Sequence, residues 1–253
     1  MAGEGDKPRR GIYLLPNLFT TAALFAGFYA IVAATKGAFE AAAASIFIAA
    51  VLDGMDGRIA RLTNTQSAFG AEYDSLSDMI SFGLAPALVA YHWGLHELGK
   101  LGWLAAFTYV AATALRLARF NTQVGIADKR YFQGLASPSA AGLVAATVWV
   151  GESYDLARLI PVLPVILVMT VTVALLMVSN IRYHSFKGLD FRGRVPFVHI
   201  LVVVLLFVLI SLDPPLVLFS VLFCYALSGP VMTLIELRRR RLERKRAGGT
   251  PPP

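Results

Sequence analysis

The apolar positions of this chain gather into eight long blocks separated by short polar breaks, at residues 18–35, 38–57, 74–94, 101–118, 136–150, 159–179, 196–212 and 215–236. Blocks of this length approach the roughly 20 residues that a helix needs to cross a hydrocarbon core. The pattern predicts an all-α fold, a polytopic membrane bundle of about eight transmembrane helices. Pro161 and Pro164 near the start of the sixth block, and Pro196 at the start of the seventh, fall where a missing N–H does little harm and so mark helix starts. Pro16 and Asn17 interrupt the first run, and seven more follow, so the first block is expected to be an uncleaved helix and not a signal peptide.

Composition agrees: 57% of residues are hydrophobic and 15% charged, which excludes an ordinary soluble domain. The net charge of +7 would suit nucleic acid, but the cations alternate with the apolar blocks. One side holds Lys7, Arg9 and Arg10, then Arg58 and Arg61, four from Arg116 to Arg130, four from Arg182 to Arg194, and seven from Arg238 to Arg246. The other holds only Lys36, Lys100 and Arg158. This asymmetry predicts a multi-pass protein of the cell membrane with both termini cytoplasmic, and no nucleic-acid partner. Residues 1–237 then form one transmembrane domain, and 238–253 a basic, disordered cytoplasmic tail facing lipid headgroups. Cys224, alone in an apolar run, cannot build a disulfide or a thiolate metal site and is read as a small buried hydrophobe.

Against this background four acids stand out, Asp53, Asp56, Asp74 and Asp78. A charge at bilayer depth costs roughly 2.5 kcal/mol or more, so the group implies compensating cations. Asp53 and Asp56 share a helical stripe with Ala60, Asp74 and Asp78 share a face of the next helix, and the short polar turn between makes those helices antiparallel neighbours. The four carboxylates are expected to converge near the cytoplasmic interface. Two divalent cations would cancel their charge, and oxygen-only ligation favours Mg²⁺ or Mn²⁺. Gly57, Ala60 and Gly70 leave a slot beside them, although small residues also serve plain helix packing. Arg61 is placed to hold a phosphate there, while Arg58 points elsewhere. His92 and His96 have metal-pair spacing but read as interface histidines.

The stretch from Asp53 to Asp78 fits D-x2-D-G-x2-A-R-x8-G-x3-D-x3-D at every specified position, namely Asp53, Asp56, Gly57, Ala60, Arg61, Gly70, Asp74 and Asp78. It resembles the signature of the CDP-alcohol phosphotransferases. SLSDMISFGLAPA, RLARFN and FQGLASPSAA resemble the phosphatidylserine synthase branch, with Ala136 standing where that branch usually has proline. The resemblance covers residues 12 to about 145.

It implies transfer of a phosphatidyl group from CDP-diacylglycerol to the hydroxyl of L-serine, with CMP leaving, in a homodimer within bilayer lipid. It further implies that Asp53 and Asp74 bridge two ions, that Asp56 completes one, and that Asp78 touches the other and acts as general base. Arg61 and Ser67 would hold nucleotide phosphates, Gly57 would border the cytidine, and Asn17 would be a further nucleotide contact. Arg116 and Arg119 would bind the lipid phosphate or the serine carboxylate, or serve only as positive flanks, and Asn121 and Ser137 are candidates for the same site. Transfer to glycerol 3-phosphate or inositol phosphate is the nearest alternative. A cation or proton-coupled transporter is the alternative of another class, and it leaves Gly57, Ala60, Arg61 and Gly70 unexplained.

Overall fold

The computed structural model describes residues 14–63, 65–123, 131–156, 161–184 and 197–247. Outside them lie Asn64, Lys129, Arg130, Arg158, Pro196, the basic clusters at Lys7 to Arg10 and Lys187 to Arg194, and residues 248–253. Among the described residues the chain is helical apart from turns and one small hairpin. Its helices are α1 (Leu14–Thr35), α2 (Phe39–Leu62), α3 (Ala68–Asp78), α4 (Ala85–Trp93), α5 (Lys100–Gln123), α6 (Ser137–Ser153), α7 (Val162–Val178), α8 (Phe197–Leu212) and α9 (Pro214–Ala247). A π-helical turn, Met79–Leu84, joins α3 to α4, so the block expected as one helix is one rod with a re-phased middle. Among the described residues three helical stretches are long and apolar enough to cross a membrane, Leu15–Thr35, Lys100–Thr122 and Pro214–Arg239.

Two differences from the sequence reading have clear causes. The three-residue strands β1 (Tyr131–Gln133) and β2 (Arg182–His184) pair antiparallel within what were expected to be plain connections. Tyr183 anchors them, buried, with its hydroxyl donating to the Ala226 carbonyl of α9 at 3.0 Å. Helix α9 also continues to Ala247, so residues 238–247 are helical and not the disordered tail expected. Arg, Lys, Leu and Glu are good helix formers, and the breakers begin only at Gly248.

The α1–α2 hairpin is set by a tight C-terminal cap. Gly37 has φ +74°, its N–H donates to Ala34 at 3.0 Å, and the Ala38 N–H donates to Ala33 at 3.0 Å. This is the left-handed closure that glycine accepts without a Cβ clash, and it sends α2 back along α1. The two helices meet on small side chains: Ala26, Ala30, Ala33 and Ala34 face Ala42, Ala43, Ile46 and Ala49, all buried. Small contacts let helix backbones approach closely where lipid offers no competing hydrophobic drive.

At the centre lies α6. Every residue from 140 to 148 is buried, and the helix packs on α2, α4, α7 and α9. It shows no polar face because it has no exposed face. The outer surface is apolar instead, with Leu201, Phe207 and Leu212 of α8 and Leu227, Met232 and Leu237 of α9 exposed. Cys224 lies on that surface too, exposed and not buried as expected, because α9 turns much of its apolar face outward.

Candidate active site

The α1–α2 hairpin and the start of α3 converge at one end of the bundle. Thr63 and Thr65–Ser67 lie between α2 and α3, and the Ser67 side chain caps α3 by accepting the Gly70 N–H at 3.0 Å. The Thr63 and Thr65 hydroxyls lie 2.7 Å apart, and the Thr65 N–H donates to Ala60 at 3.0 Å. The chain leads from there into α3, which packs against α1, and the acids of α3 face those of α2 across the site.

Asp53, Asp56 and Asp74 each offer a carboxylate oxygen, all within 4.8 Å of one another. Asp78 stands in hydrogen-bonding reach of Asp53. Asp56 is buried and accepts a hydrogen bond from the Thr20 hydroxyl at 2.7 Å. Oδ1 of Asp74 is buried with no hydrogen-bond partner among the described residues. A buried carboxylate oxygen left without a donor costs about 1–3 kcal/mol or more, and a cation would satisfy it where a further acid cannot. The donor set is all oxygen, which fits a hard divalent ion. The residues present therefore fit a metal centre.

Beside the acids opens a cavity of about 300 Å³ between α1, α2 and α3. Its walls include Asn17, Asp56, Gly57, Ala60, Arg61, Ser67, Gly70 and Asp74, so every residue expected to contact nucleotide borders one space. Gly57 forms an open cradle: a Cβ there would meet only the Arg61 Nη1, at 4.0 Å. At Gly70 a Cβ would approach Ser67 Oγ at 3.1 Å and Asn17 Oδ1 at 3.5 Å. Arg58 is exposed and does not line the cavity, as its helical phase predicts. Thr20, Thr65 and Gln66 also line it and were missed by the sequence reading. Only Thr20 had a usable signal, lying one helical turn beyond Asn17.

The residues suggested for the acceptor lie on α5 and the start of α6. Arg116 Nε donates to Ser137 Oγ at 3.3 Å, and Asp78 and Tyr225 lie in its electrostatic reach. Arg119 reaches Asn180 at 3.5 Å, and Asn121 donates to Ser75 Oγ at 3.0 Å. Arg116 thus lies within electrostatic reach of Asp78 and is bonded to Ser137, whereas Arg119 and Asn121 form a more exposed fringe. At the opposite end Nδ1 of the exposed His96 meets the Tyr91 carbonyl at 3.1 Å and its ring lies edge-on to Tyr91.

The family model described as CDP-alcohol phosphatidyltransferase matches residues 13–178, which span the acid cluster and the cavity walls. The chain belongs to this family. It is similar to the CDP-diacylglycerol–serine O-phosphatidyltransferase of Helicobacter pylori, 38% identical over 214 residues that cover 85% of this chain and 88% of that protein. The enzyme of the same description from Mycobacterium tuberculosis is 41% identical over 160 residues, 58% of this chain and 54% of its own length. An archaetidylserine synthase from Methanothermobacter thermautotrophicus is 31% identical over 186 residues, covering 73% and 75%. Membership in a metal-using CDP-alcohol phosphatidyltransferase family accords with an acidic triad able to hold a cation.

Proposed function

We propose that this CDP-alcohol phosphatidyltransferase transfers the phosphatidyl group of CDP-diacylglycerol to L-serine, releasing CMP. The observation that carries the reading is Asp74 Oδ1, buried without a hydrogen-bond partner among the described residues, within a triad of carboxylates that borders a cavity walled by Gly57, Arg61 and Gly70. Similarity over 85% of the chain to a serine-specific relative supports the choice of acceptor.

Asp53, Asp56, Asp74 and Asp78 hold two divalent cations, Mg²⁺ or Mn²⁺. Bound there, the ions supply charge neutralisation and polarisation at the pyrophosphate. Asn17, Ser67 and Arg61 orient the nucleotide phosphates, and the bare backbones at Gly57 and Gly70, with Ala60 between the helices, admit the cytidine end. Asp78 accepts the proton of the serine hydroxyl as its oxygen bonds to the phosphorus that carries diacylglycerol. The bond from that phosphorus to the CMP oxygen breaks, and CMP leaves with the electron pair. No covalent enzyme intermediate is required, so rate enhancement comes from positioning and preorganised charge. Arg116, within electrostatic reach of Asp78, and its partner Ser137 hold the serine carboxylate, with Arg119 and Asn121 at the rim toward the lipid phosphate.

The same reading places the helices as eight membrane spans in a cell-membrane homodimer, with both termini and the site on the cytoplasmic side. The alternation of Lys and Arg supports this orientation. A CMP-release assay on the purified full chain tests the whole proposal, with serine, glycerol 3-phosphate and inositol phosphate compared at saturating Mg²⁺ or Mn²⁺. Serine-dependent release supports it; release with another alcohol instead reassigns the acceptor, and ion flux without CMP release overturns it.

A further inference from the structure

The rod that carries Asp74 and Asp78 changes helical type immediately after Asp78. Across Met79–Leu84 it is a π-helix, and the Ala85 N–H bonds to Ile80, five residues back. A π turn holds one residue more than an α turn, which shifts helical phase by about 100°. The two ends of the rod have different obligations. Before the turn, α3 aims Asp74 and Asp78 at Asp53 and sets Ser77 against α1, its hydroxyl donating to the Thr20 carbonyl at 3.2 Å. After it, α4 buries Ala85, Pro86, Ala87, Val89 and Ala90 in the core.

The sequence holds the turn open from within. Pro86 lies four residues after Phe82, has no N–H for the Phe82 carbonyl, and carries a ring that would crowd that oxygen in a regular α-helix. The completely buried Tyr109 of α5 donates its hydroxyl to that carbonyl at 3.1 Å. On the opposite side Ser81 donates to the Ala23 carbonyl of α1 at 3.1 Å, and α1 comes so near that a Cβ on Gly27 would lie 2.7 Å from the Ser81 Cα. The turn is therefore gripped by α1 and α5 together.

We propose that Pro86 and Tyr109 are positioning residues for the reaction: they hold the π turn that sets the phase of Asp78 relative to Asp53. This rests on the role of Asp78 given above. Pro86→Ala supplies the missing N–H and lets the turn close toward α geometry, rotating Asp78 away from its neighbours. Tyr109→Phe removes the outside donor and loosens the turn without closing it.

The test measures serine-dependent CMP release and thermal unfolding of the full chain in mixed micelles. Pro86→Ala is expected to lower kcat about tenfold or more with KM for CDP-diacylglycerol within about twofold, since the nucleotide cavity lies on α1, α2 and the first turns of α3. Its Tm stays equal or rises. Tyr109→Phe lowers kcat several-fold alone and has no further effect in the Pro86→Ala background, where the restored backbone N–H already serves the Phe82 carbonyl. Wild-type kcat in Pro86→Ala, a loss that merely tracks unfolding, or independent effects in the double variant would each overturn the inference. Asp78→Asn in the same assay keeps the questions apart. Full turnover there removes the role of Asp78 itself, while an inactive Asp78→Asn beside a fully active Pro86→Ala removes only the π-turn inference.

Discussion

Thr20 of α1 donates a hydrogen bond to Asp56 of α2 at 2.7 Å, which ties the first helix of the chain to the acid cluster. The contact fixes the orientation of the Asp56 carboxylate. Partners of this kind behind a metal ligand are typically worth about 10- to 100-fold in affinity. Thr20→Val should weaken Mn²⁺ binding by about that factor, and Thr20→Ser should restore it. Direct Mn²⁺ titration of the protein, beside the metal dependence of CMP release, checks both.

Asp74 carries a buried oxygen with no hydrogen-bond partner among the described residues, so its substitution separates site chemistry from folding. Asp74→Asn should abolish CMP release while leaving Tm equal or higher, because an uncompensated buried charge has been removed. Thermal unfolding of metal-free protein is the comparison. A lower Tm with residual turnover would contradict the metal-centre reading.

Chelation should act in the same direction and reversibly. Stripped of divalent ions, the protein should lose serine-dependent CMP release and recover it on adding Mg²⁺ or Mn²⁺, with Zn²⁺ a poor replacement at a site of oxygen ligands alone. Turnover that persists after exhaustive chelation would refute the assignment of the four acids.

Gly57 tests the cavity and not the ions. The space where its side chain would stand is open, so Gly57→Ala should fold normally, whereas Gly57→Leu pushes apolar bulk into a cavity of about 300 Å³. The larger residue should raise KM for CDP-diacylglycerol about tenfold or more with little change in Tm. Steady-state kinetics at varied donor surface concentration makes the comparison.

Tyr183 lies outside the apolar blocks and gives a pH signature to the clasp between β2 and α9. Burial, and then the neighbouring Tyr225, push its phenol up to about 12. A folded value above the ordinary one means that its contribution is complete below about pH 10 and is lost as pH rises toward 12. Tyr183→Phe should remove that alkaline dependence and lower stability by about 1 kcal/mol, the worth of the bond to Ala226. Thermal unfolding across alkaline pH reads both effects.

The acid cluster was legible in the sequence because helical spacing alone puts Asp53 with Asp56 and Asp74 with Asp78, and the short turn leaves little freedom in how the pairs face. Arg61 was expected beside the acids from its helical phase, whereas Asn17 and Ser67 were expected there only through family resemblance, since nothing in local spacing says that α1 closes the third wall. Thr20 carried a signal only relative to Asn17, one helical turn away: taken alone, a threonine in an apolar helix reads as one more interior residue until Gly37 has folded α1 back against α2. The π turn was invisible to periodicity because a single extra residue is smaller than the uncertainty in any apolar block. Pro86 was its one local mark. The hairpin of β1 and β2 depends on Tyr183 finding α9 across 43 positions of chain, a contact that no nearby residue announces.

The burial of α6 bears on the order of assembly during synthesis. The acids are complete once residue 78 has been made, yet the helix that backs α2 and α4 begins only at Ser137. The early helices therefore lack the centre of their bundle until that late segment has been made. A truncation before residue 137 would leave the aspartates in place but without the strut that holds their helices together.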